Sequence, residues 1–327
     1  MASMASMASE VVTFGWVIRP STPAAGARDA GGASGLTAAL LAQDRAFIEA
    51  LPLPFTTLWV EDHLQWSDNP TLEAFTTMAS FAALYPHLRM GSIVLGQSYR
   101  NPALSAKMAA TLQALTGGRF ILGVGAGWKQ DEYEAYGYPY PGAATRIEQL
   151  DEALQIITAL FRDSPASFTG RYYRIEKAYC EPRPDPPIPL LVGGSGEKKT
   201  LRVVAKHATM WNGAFSTSTA FAQKQAVLAE HCRAIGRDPQ QIAHTYYGLI
   251  DLSDAQAAAG QTPQLHVLNG DPTRVARELR DFIALGVRHF MLGFTDFPSH
   301  EGLRRFTQDV LPALTLSSVS RPGAGAG

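Results

Sequence analysis

The chain has 327 residues, 46% hydrophobic and 17% charged, which is enough apolar material for a large buried core and the charge content of an ordinary globular protein. With Lys+Arg at 28 and Asp+Glu at 29 the formal net charge is -1, excluding a global basic field that would gather nucleic acid or an anionic membrane. Any anion must be bound locally. The two cysteines, Cys180 and Cys232, stand far apart outside any Cys-x-x-Cys or Cys/His pattern, so no metal site is expected and a reducing, cytoplasmic setting is. No run of about 18 apolar residues suggests a membrane span.

Residues 1–10, MASMASMASE, lack the basic and apolar regions of a secretory signal and read as a disordered leader or a start-site artefact. The apolar run 11–18 is the first expected strand, and the small, turn-rich stretch 20–35 an expected mobile loop. A second strand is expected over 56–61, ending on Glu61-Asp62-His63 with Leu64-Gln65-Trp66 behind it. Two carboxylates, an imidazole and an indole at one strand end can supply hydrogen bonds and proton transfer near neutral pH. A surface turn with a partly buried, helix-capping histidine would read the same way. The third strand, 88–95, runs into Gly96-Gln97-Ser98-Tyr99-Arg100, where Ser98 and Tyr99 can hydrogen-bond a ring system and Arg100 can equally tie down the next helix. That helix has Asn101 as N-cap and Pro102 at its first position. Leu104, Met108, Leu112 and Leu115 are expected on its buried face, and Gly117-Gly118 stops it.

The fourth strand, 119–124, opens into Gly123-Val124-Gly125-Ala126-Gly127-Trp128. Closely spaced glycines let a backbone approach a ligand and turn its N–H groups towards an anion, although a plain tight turn needs the same residues. The pattern is not the Gly-x-Gly-x-x-Gly dinucleotide fingerprint. A helix over 144–161 carries the stripe Ile147, Leu150, Leu154, Ile157 and Phe161, and 162–187 is an insertion with a hairpin around Gly170 and a proline cluster. The fifth strand, 188–192, runs through Gly193-Gly194-Ser195-Gly196 into a helix beginning near Glu197, an order that makes a phosphate site from unpaired N–H groups and the helix dipole. A glycine-rich turn with Ser195 as N-cap is the plainer alternative. Lys198 stands where a Walker loop requires glycine, which argues against nucleoside triphosphate hydrolysis. Strands over 208–212, 241–248 and 287–292 follow, with a helix from Asp271-Pro272 carrying Val275, Leu279 and Phe282 up to Gly286. The tail beyond 316 reads as disordered.

Eight strands alternating with helices, several of them apolar throughout, point to a parallel α/β fold: a (β/α)8 TIM barrel with an insertion segment, one domain over 11–316. A doubly wound sheet is the alternative. In a barrel the site is built from loops at the strand C-termini, where the segments at 61–66, 96–100, 123–128 and 193–196 all fall.

The run Arg100-Asn101-Pro102-Ala103 to Lys107-Met108-Ala109, then Leu115-Thr116-Gly117-Gly118-Arg119-Phe120, then Leu122 to Trp128, resembles the core signature of luciferase-like monooxygenases and coenzyme F420-dependent oxidoreductases. Glu132 to Pro141, Phe168 to Tyr173, Pro189 to Lys198 and Ala208 to Asn212 are similar too, so the resemblance spans roughly residues 11–315. It is strongest to the F420-dependent branch, on the Asp62-His63 pair at the end of the second strand.

The resemblance implies a bacterial-luciferase-like barrel with an insertion lid and an isoalloxazine-like ring against a kink in the third strand. In the F420-dependent branch that kink often holds a non-proline cis peptide, here expected at Ile93-Val94. The cofactor phosphate is expected between the backbone of Gly125, Ala126, Gly127 and Trp128 and that of Gly194, Ser195 and Gly196, with Lys198, Lys199 and Arg202 near an anionic tail. His63 is the expected proton donor or acceptor, Asp62 would orient it or touch the ring, and Glu132 is a second candidate on the substrate side. The implied activity is hydride transfer between coenzyme F420 and a small organic substrate. An FMN-dependent monooxygenase using O2 and a separate flavin reductase is the alternative among enzymes, and a non-catalytic flavin-binding barrel the alternative outside them. A homodimer is expected by analogy with the family, and neither nucleic acid nor membrane as a partner.

Overall fold

The computed structural model describes residues 11–18, 32–252 and 265–314. The expected leader, residues 20–31 of the expected loop, and the expected tail beyond 316 lie outside them. In chain order the elements are β1 (Thr13–Ile18), α1 (Gly32–Glu49), β2 (Phe55–Val60), α2 (Ala74–Leu84), β3 (Arg89–Ser92), β4 (Leu95–Gly96), α3 (Pro102–Leu115) and β5 (Phe120–Gly125). Then come α4 (Gln130–Ala135), α5 (Ala143–Arg162), β6 (Ala166–Thr169), β7 (Arg174–Ala178), β8 (Leu190–Gly193), α6 (Thr200–His207) and β9 (Met210–Ala214). The chain continues with α7 (Ser218–Ala234), β10 (Ala243–Asp251), β11 (Val267–Asn269), α8 (Pro272–Ala284) and β12 (Val287–Phe294).

Parallel ladders join β1 to β2, β2 to β3, β3 to β5, β5 to β8, β8 to β9, β9 to β10, β10 to β12 and β12 back to β1. The sheet is therefore closed: an eight-stave parallel barrel with helices between the staves, a (β/α)8 barrel and not the doubly wound sheet. The third stave is broken. Gly91 of β3 pairs with Ile121, but Leu95 of β4 pairs with Val124, so four residues on one strand span three on the other. The extra residue falls where the Ile93–Val94 peptide is cis.

Side-chain volume explains how this barrel fills. Trp59 of β2 points inward, and a Cβ on Gly15 or Gly91, one on each neighbouring strand, would come within 2.5 Å or 2.4 Å of its ring. The indole N–H donates to His289 Nε2 at 2.9 Å, and His289 Nδ1 lies 2.8 Å from the Thr13 hydroxyl. Burial, aided by the Arg89 charge, holds the His289 pKa down to about 3, so this imidazole is a neutral packing element. Val17, Trp59, Ile93, Ile121, Leu191, Met210, Tyr247 and Met291 form the apolar plug above it.

Three expectations need correction. Residues 32–35 of the expected loop begin α1. The buried face of α3 is not the leucine stripe: Leu104 is 51% and Leu115 74% exposed, while Ala106, Ala109, Ala110 and Leu112 face the barrel. Small residues win there because α3 packs closely on its neighbours, and periodicity alone does not say which of two apolar stripes is the inner one. A short strand absent from the reading, β11, pairs with the far end of β10, which runs three residues further than expected. The α3 cap is as expected, with Asn101 Oδ1 accepting from the Ala103 N–H at 2.9 Å.

The insertion is an antiparallel hairpin, β6 with β7, turning at Gly170. Glu152 of α5 caps the turn by accepting from the N–H groups of Arg171, Tyr172 and Tyr173 at 2.7–3.0 Å. The Tyr173 hydroxyl donates to Gln97 Oε1 at 2.9 Å, which ties the hairpin to the loop behind the kink. Among the described residues no helix is long and apolar enough to cross a membrane.

Candidate active site

The Glu61-Asp62-His63 triplet lies at the C-terminal end of β2, and extended backbone sends its three side chains to three different places. Glu61 turns inward and accepts from the Tyr247 hydroxyl at 2.7 Å. Asp62 is gripped by Arg100, whose Nη1 and Nη2 each donate to one carboxylate oxygen at 2.8 Å, and it accepts from the Gly96 N–H at 3.0 Å. Arg100 also donates to Glu73, the N-cap of α2, at 2.5 Å. Burial alone would lower the Arg100 pKa, but Asp62 and Glu73 raise it above its ordinary value. Asp62 therefore holds β4 and the start of α3 against β2. It does not orient His63.

That task falls to Glu132 of α4. Its Oε1 accepts from His63 Nδ1 at 2.9 Å and from the Tyr99 hydroxyl at 2.5 Å, and its Oε2 accepts from the N–H groups of Leu64 at 2.9 Å and Gln65 at 3.4 Å. Burial pushes the Glu132 pKa up, but the bonds from His63 and Tyr99, with the imidazole charge, outweigh it and hold Glu132 below the ordinary carboxylate value. For Tyr99, burial and the bond to Glu132 both raise the pKa, so it stays a neutral donor. Glu132 is 1% exposed with both oxygens engaged, which corrects the expectation of a carboxylate facing substrate.

An ionised carboxylate only accepts, so His63 Nδ1 carries a hydrogen, and in the neutral ring the lone pair is on Nε2. Nε2 has no partner among the described residues. Around it stand two indole rings edge-on, Trp66 at 4.8 Å and Trp128 at 5.8 Å between centroids. Trp128 is 65% exposed at the rim, and Lys129, ion-paired with Asp131, lies over the Trp66 ring at 5.4 Å. The arrangement is an oriented imidazole presenting a base to an aromatic mouth.

The second part of the site is backbone. Val94, behind the cis peptide, packs where a Cβ on Gly125 would come within 2.6 Å of it and one on Gly193 within 3.0 Å, so glycines at the ends of β5 and β8 make room for the kink. Gly127 has φ +76 and leaves no space for a Cβ beside the Tyr133 hydroxyl, which itself pairs with Ser98 Oγ at 2.7 Å. Gly194 has φ +127, a conformation that side chains rarely adopt. The N–H groups of Gly127, Trp128, Ser195, Gly196 and Glu197 donate to nothing among the described residues. They flank adjacent strands, since Val124 of β5 pairs with Val192 of β8. With the N-terminus of α6 behind them, these donors can cradle a phosphate. Of the expected cations, Lys199 is engaged by Glu148 at 3.2 Å, whereas Lys198 and Arg202 are exposed and unpaired among the described residues. Among the described residues no group of three His, Cys, Asp or Glu could hold a metal ion.

The structure brings His63 and Glu132 together and has the cis peptide where the resemblance implied it, at Ile93–Val94, while Tyr99 and Arg100 as the partners of Glu132 and Asp62 were not foreseen. Tyr99 and Arg100 are adjacent and serve different carboxylates 70 residues apart, on β2 and α4, and nothing in local spacing signals that.

Residues 48–288 match the model of the luciferase-like monooxygenase family. An uncharacterised protein of Mycobacterium tuberculosis is 36% identical over 145 residues, 44% of this chain, so the match spans about half (49%) of that relative's length. F420-dependent glucose-6-phosphate dehydrogenase of Kineococcus radiotolerans is 26% identical over 303 residues, covering 79% of this chain and 88% of the relative. Among solved structures, an F420-dependent secondary alcohol dehydrogenase in complex with an F420-acetone adduct superposes with a TM-score of 0.78 over 93% of this chain and 99% of the other at 18% identity, a likeness of fold. With the family model matching well over half its length, and a closed parallel barrel with a kinked third stave, this chain belongs to the luciferase-like monooxygenase family.

Proposed function

We propose that this protein is an oxidoreductase using coenzyme F420, moving a hydride to or from a small organic substrate, with His63 Nε2 exchanging the substrate's proton. The observation carrying this reading is the Glu132-oriented imidazole, its Nε2 free, on the same barrel mouth as a glycine-lined cradle of unpaired N–H groups. The residues present fit such a cofactor: Val94 and its two glycines offer a flat, apolar back wall, the cradle an anion site, and Lys198 and Arg202 two free charges beside it for a longer anionic tail. When bound, the deazaflavin supplies the two-electron chemistry. The protein's own part is mechanical and electrostatic. Glu132 fixes the His63 tautomer and stabilises the imidazolium that forms when Nε2 takes a proton. Trp66 and Trp128 narrow the approach and exclude water, while Asp62 and Arg100 keep β4 in register so that the kink holds its shape.

FMN would use the same wall and cradle, and the two unpaired cations favour the longer-tailed cofactor. Absorbance titration of the purified protein with F420 and with FMN tests the choice: saturable binding of F420, tighter than FMN, is expected, and the reverse order overturns it. A barrel that only binds flavin would have no use for the oriented imidazole; turnover of an alcohol or carbonyl above background by the loaded protein rejects that alternative.

A further inference from the structure

Trp211 lines no part of the barrel mouth, yet its side chain reaches the phosphate cradle from behind. It stands on β9, paired in register with Val192 of β8, and packs buried against Phe221 of α7 with the ring centroids 4.9 Å apart. From there its indole N–H donates to the Gly194 carbonyl oxygen at 3.0 Å. A trans peptide unit is planar, and its C=O and N–H point in opposite directions. The Gly194 carbonyl and the Ser195 N–H are the two ends of one such unit, which is not among the cis bonds of the chain. A carbonyl held back against Trp211 therefore aims the Ser195 N–H to the opposite side, away from the indole. The same device recurs along the turn. The Gly196 carbonyl accepts from the Leu201 N–H at 3.0 Å, which aims the Glu197 N–H, and the Glu197 carbonyl accepts from His231 Nε2 at 2.7 Å. Lys224, also on α7, donates to the Glu197 carboxylate at 2.6 Å.

Gly193, Gly194 and Gly196 give this turn room for a ligand but leave its peptide units free to rotate. Direction must come from outside the turn. We propose that Trp211 is a positioning residue for the cofactor phosphate: by pinning the Gly194 carbonyl it orients the Ser195 N–H in advance, so that binding does not have to order a glycine turn. This role rests on the reading of the turn as a phosphate cradle. Indole is suited to it, because it donates only, from one fixed point on a rigid plane, and the contact with Phe221 keeps that plane in place.

Trp211→Phe keeps a ring in the same packing and removes the donor. The test is a fluorescence titration of wild type and variant with FMN and with riboflavin, which differ only by the phosphate, and with coenzyme F420 and its phosphate-free deazariboflavin. In the wild type the phosphorylated form of the better-bound ring system is expected to bind more tightly than its phosphate-free counterpart. In Trp211→Phe that advantage should shrink by about tenfold or more, the worth of one hydrogen bond to a charged group, while the phosphate-free form binds as it does to the wild type. A tryptophan that merely supports the fold would weaken both forms alike; that outcome, or an advantage kept in full, overturns the proposal. Where the phenylalanine variant does not fold, benzothienylalanine at position 211, which keeps the bicyclic shape and puts sulfur in place of the N–H, carries the same comparison. A wild type without any advantage for either phosphorylated form removes the cradle and the role of Trp211 with it, whereas an advantage that survives in the variant removes the role of Trp211 alone.

Discussion

The two halves of the barrel mouth are built on opposite plans. On the β2–β3 side the carboxylates and the guanidinium of the site are already satisfied, Asp62 by Arg100 and Gly96, Glu132 by four donors, Arg100 by two acids, and His63 Nε2 alone of these groups has no partner among the described residues. On the β5–β8 side the backbone is left open, with N–H groups on glycine turns that make no bond among the described residues. A group that handles a proton must be oriented before substrate arrives, and its partners do that. A cradle must keep its donors free for the ligand, so glycine and the absence of internal partners serve it. Side chains carry the first half and main chain the second, and substitutions on the two sides should fail differently.

The largest effect is expected at the one open group of the satisfied side. His63→Ala should lower turnover by about 10²–10⁴-fold, the usual contribution of a positioned acid or base, with cofactor affinity changed far less. The measurement is kcat per folded, cofactor-loaded enzyme across about pH 5–8; unchanged turnover with an unchanged profile returns His63 to a packing role.

Breaking the satisfied network itself should cost stability first. Arg100→Met leaves the Asp62 carboxylate buried without its ion pair, at a cost of about 3–5 kcal/mol. A drop in Tm of many degrees is expected, and a variant as stable as the wild type would mean that the Asp62–Arg100 pair is not formed in solution.

Asp44 of α1, away from both halves, offers a further contrast, being a buried carboxyl with no hydrogen-bond or ion-pair partner among the described residues. Its folded-state pKa of about 7 lies above the ordinary 3.8, so folding favours its protonated form. Its contribution is therefore fully present below about pH 4 and lost as pH rises through 7, by up to about 4 kcal/mol at about 1.4 kcal/mol per unit. Asp44→Asn removes the penalty. The stability gap between variant and wild type in urea melts should widen in the variant's favour from pH 4 to pH 8, and a gap independent of pH would show that Asp44 is not held protonated.

The smallest change in stability is expected in the cradle. Gly196→Val puts a branched side chain where the backbone must approach a ligand, its Cβ 2.8 Å from the movable Thr200 hydroxyl. Cofactor affinity should fall at least about tenfold, or about 1.4 kcal/mol, while the apoprotein Tm moves little. Equal affinity in variant and wild type, measured by the same absorbance titration, would remove the phosphate assignment.

The barrel itself was legible in the sequence because its signals are local. Apolar runs between glycine and proline punctuation marked all eight staves, and Asn101-Pro102 and Asp271-Pro272 marked helix starts where the structure has them. The glycine turns at 125–127 and 193–196 were equally readable, since a backbone that must bend or be approached needs glycine whatever surrounds it. The third-strand kink came from the resemblance to a family and not from the residues themselves. What tertiary structure alone decided was partnership. Which of three consecutive side chains at 61–63 turns inward, which is clamped and which is left with a free nitrogen depends on Tyr247, Arg100 and Glu132, brought in from other staves and helices. So does the inner face of α3, where alanines beat leucines for contact with the barrel. Hydrogen bonds and close packing act between residues distant in the chain, and the spacing of residue types along it carries no record of which distant groups the closed barrel will place side by side.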